Sequence, residues 1–274
     1  HVDRIAMCVT SSHTAALYLR AMGLYNPFVV ASDGALLEEL RSVGIHKYHA
    51  TVLDSGEPRR DFVSAKQDAA ALARVLAAPW ARRVDSIVVT SDDTFSARKV
   101  AVVVNLLNMA DEAGKPPPPL IACASDRGHL LGTSDGKSGL PVRLRAMGNG
   151  SMAEAISQCF EPTYPWIDMG KPSDVLFDLI VNEFEVDVSH ALLIGDGLST
   201  DIAFGNGAGM ATLLVLSGST TYAQAEAAFL SAHSLVKPTY VLSELGTFAK
   251  ELQAIARLRI AQSLEAKGSG TVRV

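Results

Sequence analysis

Short apolar runs alternate along the chain with longer segments of helical periodicity. A helix-length segment follows Ile87-Val88-Val89, and the same succession occurs after residues 191–194. Strands that alternate with helices predict a parallel sheet with crossover helices. Because the strands are apolar on both faces, we expect helices on both sides of the sheet, which is a doubly wound α/β fold.

Composition excludes several classes of protein. Of the 274 residues, 48% are hydrophobic, 6% aromatic and 19% charged, which excludes a disordered chain, a collagen and a coiled coil. The net charge of −5 favours neither nucleic acid nor a membrane surface as a partner. No apolar run approaches the length of about 18 residues that a membrane span needs, since the longest, residues 100–107, is interrupted by Asn105.

The cysteines bear on the compartment. Cys8, Cys123 and Cys159 are odd in number and lack the spacing of a metal site. They predict reduced core thiols in an intracellular, cytoplasmic protein. The chain begins with His1 rather than Met, so we expect a start upstream or removal of the first residues, and an organelle stays an alternative to the cytoplasm.

Two segments carry further predictions of local structure. A helix is expected to begin at Ser96. It should present four apolar side chains to the core: Val100, Val103, Val104 and Leu107. Residues 126–150, rich in Gly, Ser and Arg without periodicity, predict a long loop that is either functional or a solvated insertion.

The most informative segment follows a buried strand and reads Gly-Asp-Gly-Leu-Ser-Thr-Asp over residues 195–201. The strand delivers Asp196 to its carboxyl end, where open α/β sheets bind ligands. Gly195 lacks a Cβ, so the backbone turns sharply and a ligand can approach. Asp201 lies at a helix start, where the dipole favours a carboxylate. The two carboxylates suit Mg²⁺, and the alternative is a helix cap with a turn aspartate.

A lysine lies upstream, in Gly170-Lys171-Pro172-Ser173. Pro172 is predicted as the first residue of a helix that ends at about Phe184. The free N–H groups of a helix start attract anions, and Lys171 adds a point charge for phosphate. Alone, the pattern fits a surface lysine. Together with Asp196 and Asp201, it predicts a site for phosphate and Mg²⁺.

These motifs resemble the haloacid-dehalogenase (HAD) superfamily of phosphatases, in the branch of the 4-nitrophenylphosphatases, phosphoglycolate phosphatases and pyridoxal phosphatases. The resemblance covers nearly the whole chain, with the motifs in the family's order. It rests on residues 170–173 and 195–201, on Gly205-x-x-x-Gly209, on Leu214 to Gly218, on Thr10-Ser11-Ser12 with the helix that follows, and on Gly148-x-Gly150-Ser151 as a turn. It implies a HAD-type doubly wound parallel-sheet core without its N-terminal strands, and a large inserted α/β cap domain.

The resemblance also implies domain boundaries and partners. The expected parts are a core segment at 1–25, a cap domain at 26–165, the HAD core at 166–262 and a disordered tail at 263–274. Because members of this branch commonly pair through their caps, we expect a homodimer. A protein partner that covers the open edge of the sheet is the alternative.

Family chemistry transfers a phosphoryl group to an aspartate and then hydrolyses the aspartyl-phosphate. The resemblance implies that Asp196 binds Mg²⁺ and that Lys171 balances charge on the phosphoaspartate. Asp201 would orient Lys171 or complete the outer shell of the metal. Gly195 would border the substrate, a small phosphorylated metabolite. His129, in a stretch that resembles the specificity loop of the cap, would contact the leaving group, and a solvated loop histidine is the alternative.

The D-x-D-G motif, which holds the family's nucleophile, and the T-N-N motif are absent from these residues. The segment Ala31-Ser32-Asp33-Gly34 has alanine at the nucleophile's position, and Thr90-Ser91-Asp92-Asp93 resembles a turn of the cap. We therefore expect the nucleophile upstream of His1 and the 274 residues alone to be inactive.

Two other hypotheses stay open. One is a catalytically inactive HAD-fold pseudophosphatase that serves as a binding or scaffold subunit. The other is a receiver-like domain that is itself phosphorylated on an aspartate at a strand end. A D-x-D-G motif shortly before His1 would favour the enzyme over both.

Overall fold

The protein is described by a computed structural model over residues 9–63, 68–133, 143–231, 234–246 and 250. By its internal contacts the chain divides into two compact units, unit 1 (His1–Leu179) and unit 2 (Ile180–Val274). Each unit is described by itself. The boundaries expected at residues 26 and 166 stay predictions, and the expected tail lies outside the described residues.

A five-stranded parallel sheet forms the centre of unit 1. The described strands of this unit are β1 (Pro27–Val30), β2 (His49–Ala50), β3 (Ser86–Val89), β4 (Leu120–Ala122), β5 (Gly128–Thr133), β6 (Arg143–Met147) and β7 (Trp166–Asp168). Five of them form the sheet in the order β2-β1-β3-β4-β7, and every neighbouring pair is parallel. The predicted parallel α/β architecture is confirmed.

Three helices of unit 1 begin at residues whose side chains accept hydrogen bonds. The described α-helices that lie wholly in this unit are α1 (Ser11–Ala21), α2 (Ala35–Ser42), α3 (Arg60–Val63), α4 (Ala69–Leu76), α5 (Ala97–Glu112) and α6 (Asn149–Ser157), and α7 (Asp174–Phe184) begins in unit 1 and ends in unit 2. Thr10, Asp68 and Ser96 accept hydrogen bonds from backbone N–H groups in the first turns of α1, α4 and α5. The predicted start of α5 at Ser96 is confirmed. No helix in the described part of the chain is both long and apolar enough to cross a membrane.

Side chains of the central strands alternate between two apolar clusters. Val29, Val88 and Ile121 pack with α1 and α2 on one face of the sheet. Phe28 and Ile87 pack with α4, α5 and α6 on the other face. All five side chains are fully buried, and each contributes about 1.5–3 kcal/mol to the fold. The sheet is therefore covered on both faces, as its apolar strands predict.

Unit 2 contains a second parallel sheet. Its described strands are β8 (Leu192–Gly195), β9 (Ala211–Val215) and β10 (Tyr240–Leu242), in the order β10-β9-β8. A π-helical turn (Leu198–Ile202) leads into α8 (Ala203–Gly207), and α9 (Tyr222–Leu230) follows β9. Leu192 and Ile194, on the edge strand β8, are 38% and 40% exposed. Apolar side chains of the edge strand are therefore exposed in the described structure.

Residues 126–150 do not form the predicted long loop. Within them β5 and β6 pair in antiparallel fashion, and α6 begins at Asn149, where the sequence predicted only a turn. His129, Leu144 and Met147 are exposed, so apolar residues do not alternate along these strands as they do on a half-buried sheet. Residues 134–142 lie outside the described residues.

Two predictions of burial are wrong in part. On α5, Val100 is partly buried and packs against the core as predicted, whereas Val104 is partly buried and is not among the side chains that pack there. The buried apolar side chains of that helix are Val102, Val103, Leu106, Leu107 and Ala110. A run of valines offers no unique face, so packing against the sheet decides which of them are buried. Cys123 is buried as predicted, whereas Cys159 is exposed, and Cys8 lies outside the described residues.

A buried ion pair joins the end of β3 to α5. Lys99 Nζ donates to Asp92 Oδ2 at 2.5 Å and to Thr94 Oγ1 at 2.7 Å, and the side chains of Lys99 and Asp92 are 1% and 0% exposed. The backbone N–H and hydroxyl of Thr94 donate to Asp92 Oδ1. Burial lowers the pKa of Lys99, and the Asp92 carboxylate opposes that shift. The ammonium group therefore depends on Asp92 as its charged partner.

Replacing Asp92 by alanine should destabilise unit 1 by about 3–5 kcal/mol, because the Lys99 ammonium would stay buried without its partner. The matched control is Asp93→Ala, since Asp93 is exposed, and it should change stability by less than about 0.5 kcal/mol. Urea denaturation followed by far-UV circular dichroism measures both. A loss from Asp92→Ala no larger than that of the control would contradict this role.

Candidate functional site

Asp196 occupies the first position after β8, and Asp201 fixes the loop that follows it. Asp201 Oδ2 accepts hydrogen bonds from the backbone N–H groups of Asp196 at 3.1 Å and Gly197 at 2.9 Å. Asp201 is only 5% exposed, and bonds from backbone N–H groups to a carboxylate are stronger than those between neutral partners. The buried carboxylate therefore orders the backbone that carries Asp196.

A second loop holds the Asp196 side chain from the end of β9. The backbone N–H of Ser219 donates to Asp196 Oδ2 at 2.5 Å. The hydroxyls of Ser219 and Thr220 donate to the Asp196 carbonyl oxygen at 2.9 and 2.5 Å. Sequence reasoning did not assign a role to Ser219 or Thr220. The signal was their position beside the Ser217-Gly218 motif at the carboxyl end of β9.

Glycines make both of these contacts sterically possible. A Cβ on Gly195 would lie 2.2 Å from Asp201 Cγ, and a Cβ on Gly218 would lie 2.2 Å from Asp196 Oδ2. Carbon atoms of side chains do not approach that closely, so a larger residue at either position would push a carboxylate away. In the described structure, Gly195 therefore makes room for Asp201, and its predicted place beside the substrate stays a prediction.

The donor at Asp196 fits Mg²⁺. Its half-buried carboxylate stands at the carboxyl end of a parallel strand, and Mg²⁺ accepts one or two protein carboxylates together with phosphate oxygens and water. Among the described residues, no group of three His, Cys, Asp or Glu side chains is arranged to hold a metal. The role predicted for Asp196, binding of Mg²⁺, stays a prediction.

Lys171 lies in unit 1, in the loop after β7. The Ser125 hydroxyl, from the loop after β4, donates to the Lys171 carbonyl oxygen at 3.4 Å. The helix begins at Asp174 rather than at Pro172, because Ser173 acts as its cap: Ser173 Oγ accepts from the N–H of Val175 at 3.2 Å. Lys171 is exposed and precedes the helix by three residues, so its backbone lies near a helix start, and the contact of its amine with phosphate stays a prediction.

Asp168 is an acidic residue of this loop that sequence reasoning missed. Its Oδ1 accepts from the N–H of Gly170 at 2.8 Å, and its carbonyl oxygen accepts from the Ser173 hydroxyl at 2.5 Å. Burial raises the pKa of Asp168, while hydrogen bonds from Gly170 and Ser125 act against that shift. The signal was its position at the end of the short apolar run that forms β7. Asp168 therefore fixes the turn that carries Lys171.

His129 lies on the strand β5 rather than in a loop. It pairs with Ala146 of β6, and its side chain is exposed. A strand position fixes the direction of a side chain more firmly than a loop position would. The role predicted for His129, contact with the leaving group, stays a prediction.

The two segments that mimic catalytic motifs serve the fold. Asp33 Oδ1 accepts from the N–H of Ala35 at 2.9 Å at the start of α2, and Ala31 is fully buried. Asp92 is bound to Lys99 as described above. Both aspartates therefore do local structural work at the ends of β1 and β3.

Comparison with known proteins finds a family model and relatives that this chain resembles. A family model described as HAD-hydrolase-like matches residues 168–248, which contain Lys171, Asp196 and Asp201. Chronophin of Bos taurus is 32% identical over 218 residues, which are 79% of this chain and 60% of chronophin. The chain is thus similar to chronophin over most of its length, and its C-terminal part matches the HAD-hydrolase-like model.

Other relatives of this chain carry phosphatase names. Glycerol-3-phosphate phosphatase of Gallus gallus is 30% identical over 53% of this chain and 41% of its own length. A 4-nitrophenylphosphatase structure from Thermotoga maritima superposes with a TM-score of 0.59 at 23% identity, covering 88% of this chain and 71% of its own. This likeness confirms the α/β fold. The chain spans 60% of bovine chronophin and 50% of human chronophin.

Replacing Gly195 by alanine should displace Asp201 and destabilise unit 2 by about 2 kcal/mol or more, because two hydrogen bonds to a buried carboxylate would be lost. Gly207→Ala is the matched control, since a Cβ there would meet nothing within 4 Å, and it should be neutral or stabilising by up to about 1 kcal/mol. Thermal denaturation of both variants measures the difference. Equal stability of the two variants would contradict the bracing role of Asp201.

Proposed function

We propose that the chain is part of a Mg²⁺-dependent phosphomonoester hydrolase of the 4-nitrophenylphosphatase type, which acts through an aspartyl-phosphate. The observation that carries this proposal is the Asp196 loop: a carboxylate at the carboxyl end of a parallel strand, held by Asp201 and by Ser219. The chain's kinship with named phosphatases supports the same chemistry.

Each site residue has a distinct task in this proposal. Asp196 holds Mg²⁺, which when bound neutralises charge on the phosphoryl oxygens. Lys171 neutralises the same phosphoryl group from the side of the helix start. Asp201 is a positioning residue that acts through the backbone of Asp196. His129 contacts the leaving group of the substrate.

The nucleophilic aspartate is assigned to a strand outside these 274 residues. The edge of β8 supports this assignment, since among the described strands β8 pairs only with β9. Leu192 and Ile194 leave apolar surface exposed on β8. An open edge with exposed apolar side chains is a surface for pairing with a further strand.

Small phosphorylated metabolites are the proposed substrates. The relatives named glycerol-3-phosphate phosphatase and phosphoglycolate phosphatase support this class. A homodimer formed through the cap, as the family resemblance implies, is part of the same proposal.

The 274 residues alone should not hydrolyse 4-nitrophenyl phosphate in the presence of Mg²⁺. Loss of a covalent nucleophile costs on the order of a millionfold in turnover, so the release of nitrophenolate should not exceed that of buffer. Absorbance at a fixed wavelength over hours measures this. If the 274 residues hydrolyse the substrate and Asp196→Asn abolishes this activity, the assignment of the nucleophile to another segment is wrong.

In the full-length protein, Asp196→Asn should raise the Mg²⁺ concentration for half-maximal activity by at least about tenfold, because an amide is a poorer ligand for a hard cation than a carboxylate. The matched control is Asp187→Asn, at an exposed aspartate of the same unit that precedes β8. Its Mg²⁺ dependence should equal that of the parent. An unchanged Mg²⁺ requirement in Asp196→Asn would contradict the proposed ligand.

A further inference from the structure

Unit 1 contains a cavity of about 890 Å³ at the amino-terminal ends of the strands of its five-stranded sheet. The residues that line it immediately precede three neighbouring strands: Tyr25 and Asn26 before β1, Lys47 and Tyr48 before β2, and Arg83 and Val84 before β3. Lys171 follows the carboxyl end of β7 in the same parallel sheet, so it lies at the opposite end of the strands. The cavity is therefore separate from the phosphate site, and its volume suits a small molecule.

Stacked rings form one wall of this cavity. The rings of His49 and Trp80 are parallel to within 12° with centroids 3.9 Å apart, and Phe28 stacks on Trp80 at 5.4 Å. Burial, aided by the charge of Arg59, lowers the pKa of His49 to about 4. The His49 ring is therefore uncharged at neutral pH. A rigid, uncharged aromatic wall is a surface on which a planar ring stacks favourably.

Cations without acidic partners line the rest of the cavity. Lys47 and Arg83 are exposed, and neither forms an ion pair within the described part of the chain. The nearby carboxylate, Asp85 Oδ2, accepts from the N–H groups of Tyr25 at 2.8 Å and Asn26 at 2.9 Å. No acidic side chain is among the described lining residues. The two cations are thus available to an anionic ligand.

We propose that this cavity binds an aromatic anion of the mononucleotide class. The planar base lies against the wall that contains Trp80, and the phosphate group contacts Lys47 and Arg83. The cavity and Lys171 lie at opposite ends of the parallel strands. We therefore expect this ligand to act as an effector of the catalytic reaction rather than as its substrate.

Fluorescence of Trp80 tests the proposal directly. The chain has two tryptophans, so Trp166→Phe leaves Trp80 as the single reporter. Adenosine 5′-monophosphate should quench its emission to saturation. Adenosine, which lacks the phosphate, and inorganic phosphate, which lacks the ring, should each bind at least tenfold more weakly. The absence of quenching by adenosine 5′-monophosphate, or equal binding of adenosine, would overturn the proposal.

Substitutions locate the ligand. In the same background, the double variant Lys47→Ala/Arg83→Ala should weaken binding of adenosine 5′-monophosphate at least tenfold. The matched control is Arg82→Ala, because Arg82 is an exposed neighbour that does not line this cavity, and its affinity should stay within twofold. Lys171→Ala should also leave the affinity unchanged. Unchanged binding by the double variant, or loss of binding in Lys171→Ala, would overturn the assignment, whether or not the phosphatase activity is established.

Discussion

The hydrogen bonds from the backbone of Asp196 and Gly197 to the buried carboxylate of Asp201 are the contact on which the site of unit 2 depends. They fix the turn at the end of β8, and Ser219 then fixes the side chain within it. The sequence suggested two tasks for Asp201: orienting Lys171 or completing the shell of a metal. The structure adds a third, since this carboxylate holds the backbone and thereby aims the neighbouring Asp196.

Because the strands of unit 1 are parallel, the loops at their carboxyl ends differ chemically from the loops at their amino ends. At the carboxyl ends of the strands, the loops after β4 and β7 meet. Hydrogen bonds of Ser125, Asp168 and Ser173 hold the turn that contains Lys171. At the amino ends, the segments that precede three strands line a cavity. Its walls include the stacked rings of His49 and Trp80 and the cations Lys47 and Arg83. The loop of Lys171 and the cavity are thus separated by the length of the strands.

Strongly apolar elements were predictable from the sequence, and elements defined by pairing were not. The run Ile87-Val88-Val89 is apolar on both faces and predicts a buried strand, which is β3. The pairing of β5 with β6 depends on contacts between segments whose exposed residues show no alternation. The helix α9 was missed although Thr221 and Gln224 form a capping box, a signal present in the sequence.

The residues of the candidate site also divide into those that the sequence identified and those that it did not. A motif located Asp196, Asp201 and Lys171, because glycines and carboxylates at fixed spacing reflect close backbone approach. Asp168, Ser219 and Thr220 were not found, because their importance depends on which loops meet in space. The histidine and tryptophan of the stacked wall, His49 and Trp80, are 31 positions apart and became neighbours only through the fold.

We propose that Asp196 and Lys171 act on one phosphoryl group. A crystal structure of the full-length protein with Mg²⁺ and orthovanadate, an analogue of phosphate, tests it most directly. We expect Mg²⁺ at about 2.1 Å from a carboxylate oxygen of Asp196, with vanadate bound beside it and hydrogen-bonded to the amine of Lys171. Vanadate bound away from either residue, or Mg²⁺ held without Asp196, would contradict it.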